Sequence, residues 1–180
     1  MRCHGRDQDQ VVLVEGPRKR LHHLCFGASP AGLAAAKARV EKAGIRLLDP
    51  PNEAPGDGLW FRDPDGALVN IRAAQPAPWR DGRELVFNYP NRFYRVATPG
   101  HPSRHQPVQP RRLSHVLLFT PDVMRQVDFY ERIVGLRLSD RAQNVVAFMR
   151  SGEGDSDHHI LAFALSERPG FHHASFEVAT

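Results

Sequence analysis

Hydrophobic positions in this chain come in short runs broken by turn residues, a pattern that predicts many strands and few helices. Residues 11–14 (VVLV) and 21–26 (LHHLCF) predict two strands. Residues 29–44 predict a helix, with Ser29 as N-cap, Pro30 at its first position and Gly44 as the stop. Leu33, Ala36, Val40 and Ala43 fall on one face of it. Strands follow at 45–48 (IRLL), 58–61 (GLWF) and 67–72 (ALVNIR), the last two joined by the turn Asp63-Pro64-Asp65-Gly66.

Residues 73–112 break the pattern with many prolines. A strand is expected at 85–89 (LVFNY), and 99–110 (PGHPSRHQPVQP) reads as linker. A second unit opens at Leu113. It predicts a strand at 113–119 (LSHVLLF), then a helix capped by Thr120 with Pro121 at its first position. Val123, Val127, Tyr130 and Val134 form the helix's buried stripe, and Gly135 stops it. Strands at 136–140, 144–150, 159–164 and 172–178 complete the unit.

Composition narrows the class. In 180 residues, 41% are hydrophobic and 24% charged, which suits a soluble globular chain of one domain or two small ones. No apolar run approaches the roughly 18 residues of a membrane span. The first ten residues are polar, so no secretory leader is expected. Two cysteines, Cys3 and Cys25, cannot build a disulfide framework, and a reducing cytoplasm is expected. The net charge of +4 is scattered and offers no nucleic-acid surface. Ten histidines, several in pairs (His22-His23, His158-His159, His172-His173), point instead to metal or acid–base chemistry.

An internal repeat organises these histidines. MRCHGRDQDQVVLVEGPRKRLHHLCF at 1–26 matches MRSGEGDSDHHILAFALSERPGFHHASF at 149–176. His23 falls on His173, Gln10 on His159, and LSHVLLF sets His115 at the same place. The repeating unit is strand, helix, three strands, beginning at the histidine strand. In this phase, residues 1–75 hold the end of one module and a second module, 76–112 are linker, and 113–180 begin a further pair. A longer protein, extending past both ends, is therefore expected.

These units, with a histidine on the first strand, resemble the vicinal oxygen chelate superfamily. Its members include glyoxalase I, bleomycin-resistance proteins and type I extradiol ring-cleaving dioxygenases. The run DHHILAF followed by HHASFEV most resembles the dioxygenases. The resemblance implies an α+β fold of paired βαβββ modules forming cupped mixed sheets. It implies Fe(II), with Mn(II) as alternative, held by His115 and His173, and His159 as acid–base. The implied partners are a small aromatic diol and O2, and the implied assembly is a homo-oligomer. The family's third ligand, a glutamate, has no counterpart; the matching position in the first copy is Asn70. Little activity is therefore expected of these 180 residues alone. A glyoxalase-type isomerase and a metal-free small-ligand binder are the alternatives.

Strand alternation separates the last histidine pair. His173, Ser175 and Glu177 share one polar face, and His172, Ala174, Phe176 and Val178 the other. Alternation around His115 does not discriminate. Glu177 lies roughly 13 Å along the strand from His173, too far for a third ligand. His158 and His172 are expected to support packing, and His22-His23 to be a structural relic. Tyr94 and Tyr130 are candidates to reach a substrate.

Overall fold

The computed structural model describes residues 1–52, 54–74, 90–91 and 109–178. The chain divides into two compact units: one of residues 1–12, 77–113 and 176–180, the other of residues 13–76 and 114–175. The expected strand at 85–89 and nearly all of the linker at 99–110 lie outside the described residues.

The larger unit carries two βαβ-type modules of α+β character. The first runs β1 (Leu24–Ala28), α1 (Pro30–Lys42), β2 (Leu59–Arg62) and β3 (Leu68–Ala73). The second runs β4 (Pro110–Thr120), α2 (Val123–Phe129), a π turn (Tyr130–Val134), β5 (Arg137–Ala142), β6 (Val146–Arg150) and β7 (Leu161–Leu165), followed by β8 (Gly170–Val178). Strand order is β1-β3-β2 in one sheet and β5-β6-β7-β4-β8 in the other. In both modules the first strand runs parallel to the last, and the last is antiparallel to the one before it. Leu24 pairs with Val69 as Val116 pairs with Leu161. This register makes His23 equivalent to His115, and Trp60 to Phe148, so the duplication seen in sequence is also one of strand pairing.

The helix signals act where expected in α1. Ser29 Oγ accepts from Gly32 N at 2.9 Å, Pro30 opens the helix, and Gly44 takes a positive φ just beyond it. Ala36 and Val40 are buried, Leu33 packs beside them, and Ala43 is exposed. In the second module the cap is Asp122, not Thr120: Asp122 Oδ1 accepts from Arg125 N at 3.0 Å. Thr120 Oγ1 instead accepts from Asp122 N, which leaves Pro121 ahead of the helix. The α turns then widen into the π turn, where Gly135 N and Leu136 N both donate to Tyr130 O.

Two expected strands do not form. Residues 11–14 are irregular and leave Val12 and Leu13 exposed, since no strand among the described residues pairs with them. Residues 45–48 are also irregular; Leu48 N reaches Trp60 O, but no ladder follows. The first sheet therefore has three strands, where its counterpart module contributes four.

The core of the larger unit is continuous across both modules. Ala36, Val40, Phe61, Val69 and Ile71 from the first pack with Val127, Tyr130, Met149, Leu161 and Phe163 from the second. Full burial of each large apolar side chain contributes about 2 kcal/mol. Polar links cross the same junction, two of them from buried or half-buried side chains. The fully buried Tyr130 donates its hydroxyl to Asp63 Oδ2 at 3.2 Å. Arg39 donates from Nε and Nη2 to the carbonyls of Ile133 and Val134, both at 3.0 Å, where the π turn ends.

In the smaller unit the first residues form a closed turn. Arg2 bridges Asp9, and Met1 O accepts from Val11 N. Met149 O accepts from Ile160 N in the same manner, as the repeat aligning Met1 with Met149 requires.

Candidate metal centre

Three elements bring the repeat-matched histidines together. His115 sits in the middle of β4, and β8 lies beside β4 with His173 in its first half. His159 lies two residues ahead of β7, whose parallel pairing with β4 starts at Leu161↔Val116. Val116 N donates to Ile160 O, which fixes the approach of the His159 segment to β4.

The rings converge. His115 Nε2 and His173 Nε2 are 3.1 Å apart, with one donating to the other according to tautomer. The His159 ring centre lies 4.4 Å from that of His115 and 4.9 Å from that of Phe148. Burial, then the neighbouring His159 and His173, pulls the His115 pKa below its ordinary value. Burial also lowers that of His159, helped by His158 and His173 and opposed by Asp157. Both shifts favour the neutral imidazole, which has a nitrogen lone pair to offer.

The His115–His173 pair fits part of a metal's needs. Two cis ligands each about 2.1 Å from one ion sit roughly 3 Å apart, which is the separation observed. Both donors are imidazole nitrogens, suited to iron, manganese or zinc. Among the described residues, however, no group of three His, Cys, Asp or Glu side chains is disposed to hold a metal ion. Glu177 is engaged elsewhere, since Arg112 Nε meets its Oε2 at 2.6 Å.

The paired neighbours behave less simply than alternation predicts. His172 packs on Phe119 at 4.6 Å between ring centres, while its Nδ1 comes within 2.8 Å of His173 Nδ1. Both rings of the pair are thus turned toward β4 side chains rather than to opposite faces. His158 Nδ1 likewise approaches His159 Nδ1 at 3.1 Å. Tyr130 reaches no substrate: it is wholly buried against Asp63, and burial drives its pKa well up. Tyr94 lies outside the described residues. Phe148 and Phe119, which frame the histidines, were missed by sequence reasoning. The signal for Phe148 was its place two strands from His115, which only the pairing order reveals.

The first module shows the same frame without the donors. His23 packs on Trp60 at 5.0 Å between ring centres, and its Nδ1 lies 2.9 Å from that of His22. Asn70 is fully buried, donating to the carbonyls of Asp57 and Leu59 and accepting from Cys25 Sγ at 3.1 Å. It ties strands together.

With this geometry in place, residues 112–180 match the model of the Glyoxalase/Bleomycin resistance protein/Dioxygenase superfamily. Metapyrocatechase 2 of Cupriavidus necator is 40% identical over 166 residues, covering 92% of this chain and 51% of that protein. The Mn(II)-bound glyoxalase from Novosphingobium aromaticivorans shares the fold at a TM-score of 0.67 and 23% identity, over 97% of this chain and 52% of its own. The 2,2',3-trihydroxybiphenyl 1,2-dioxygenase from Sphingomonas wittichii does so at 0.57 and 22%, over 91% and 55%. The chain thus spans about half the length of these relatives. No helix among the described residues is long and apolar enough to cross a membrane.

Proposed function

We propose that this chain is part of an Fe(II)-dependent extradiol dioxygenase that cleaves a small aromatic diol with O2. The observation that carries this reading is the convergence of His115 and His173 at 3.1 Å with the His159 ring tilted against that of His115. The 40% identity to a metapyrocatechase supports it.

In this reading His115 and His173 hold the metal, Fe(II) or alternatively Mn(II). When bound, the ion supplies Lewis acidity and brings the diol and O2 together. His159, neutral because its pKa is lowered, accepts the proton of a substrate hydroxyl and later returns it. Phe148 holds the His159 ring in place and offers an apolar wall to an aromatic substrate. With two protein donors the ion is held weakly, and slow turnover is expected of these residues alone.

Anaerobic Fe(II) titration, followed by O2 uptake with catechol, tests the assignment. His115→Ala and His173→Ala should each weaken Fe(II) binding more than about tenfold. Unchanged affinity in both variants would refute the reading.

A further inference from the structure

A cavity of about 460 Å³ opens in the larger unit, between α1 and the end of the π turn. Its size lies within the usual range for small-molecule sites. Phe26, Ala36, Ile71 and Ile160 give it an apolar lining, and Arg39 and Arg137 bring two cations. Phe26 shares the α1-facing side of β1 with the buried Leu24, whereas His23 and Cys25 alternate to the other side. The cavity is therefore separate from the histidine-bearing face.

Its charges are unevenly matched. Of the two carboxylates in its wall, Glu131 accepts from Leu138 N and Glu153 from Ser29 Oγ, both at 3.0 Å. Arg39 donates to carbonyls, not to a carboxylate. The side chain of Arg137 makes no hydrogen bond or ion pair among the described residues, and it is exposed. Neither arginine has its charge neutralised by a side chain, while both carboxylates are held by neutral donors. An anionic head with a flat apolar body satisfies this lining. The wall carboxylates favour one negative charge over the two of a phosphate.

We propose that this cavity is a binding site for a small aromatic or unsaturated monocarboxylate. Ser151, Gly152 and Glu153 line it together with Ile160. An occupant therefore touches both ends of the loop that carries His159 on the opposite side of the sheet.

The test is a titration of the isotopically labelled full chain with sodium benzoate, following the amides of Gly32, Gly135 and Gly152. Saturable shifts at these three positions are expected. The neutral isostere benzamide should bind at least about tenfold more weakly, the loss of one charge-assisted contact. Arg137→Gln, a change to an exposed and unpartnered side chain, should weaken benzoate by a similar factor without altering the fold. Ala36→Leu, which fills the cavity, should abolish the shifts. Benzamide binding as tightly as benzoate, or indifference to Arg137→Gln, would overturn the proposal. So would shifts confined to β4 and β8 around His115 and His173, or no saturable shifts at all.

Discussion

At the scale of single residues, neutrality is the property that matters around His159. In the proposed reading, removing its ring leaves the Nε2 atoms of His115 and His173 in place, so His159→Ala should keep the Fe(II) affinity of the unaltered chain. O2 uptake with catechol should nonetheless fall by about 10²-fold or more, the usual contribution of a positioned acid–base. Parallel loss of metal and turnover would place His159 among the ligands instead. Asp63 offers a second test. Burial raises its pKa above the ordinary 3.8, outweighing the amides of Ala67 and Asp65 and the Tyr130 hydroxyl that favour its charge. The folded chain thus holds this proton at pH values where the unfolded chain has lost it. Stability from this group is present below pH 3.8 and is lost as pH rises through the raised folded value. Asp63→Asn abolishes that loss. Thermal melts from pH 4 to 7 should therefore show the unaltered chain losing ground to the variant as pH rises. The opposite trend would refute the assignment. Of these residues, the histidines were legible from the repeat. The Asp63–Tyr130 contact was not, because nothing in a turn sequence announces a partner on a helix many residues later.

Secondary-structure elements obey local chemistry only where a neighbour completes them. The cap of α1 was legible because Ser29, Pro30 and Gly44 act within one turn of the chain. Residues 11–14 and 45–48 have strand composition, yet a strand needs a ladder, and composition does not supply one. The cap at Asp122 was misassigned to Thr120 because both are good caps and only backbone geometry chooses between them. Arg39 is the clearest element-scale test. Its two hydrogen bonds close the open carbonyls of the π turn and place a cation at the negative end of that helix. Arg39→Ala should cost about 2–3 kcal/mol in urea unfolding, with only partial recovery in Arg39→Lys, which lacks the two-pronged geometry. Gly58 is the second. Its φ of 88° lies in the region open to glycine, and a Cβ there would run into the Ile71 carbonyl. Gly58→Ala should cost about 2 kcal/mol, read by the same unfolding curve.

At the scale of the whole molecule, duplication made the architecture readable. Two modules with one strand register explain why a histidine at 23 and another at 115 occupy like positions. The divergence between them was less legible. Asn70 takes a structural post between Asp57, Leu59 and Cys25, a role that depends on backbone carbonyls no sequence pattern displays.

The parallel pairing within each module bears on how the chain reaches this state. β1 meets β3, and β4 meets β7, only after a helix and intervening strands have been laid down, so loop closure sets the pace of each module. The junction held by Arg39 and by the Tyr130 hydroxyl needs both modules already formed. These contacts are absent from a transition state in which a single module condenses first. Weakening them should therefore leave the refolding limb of a chevron nearly unchanged and speed escape from the native state, so the junction governs how long the fold lasts more than how fast it is found.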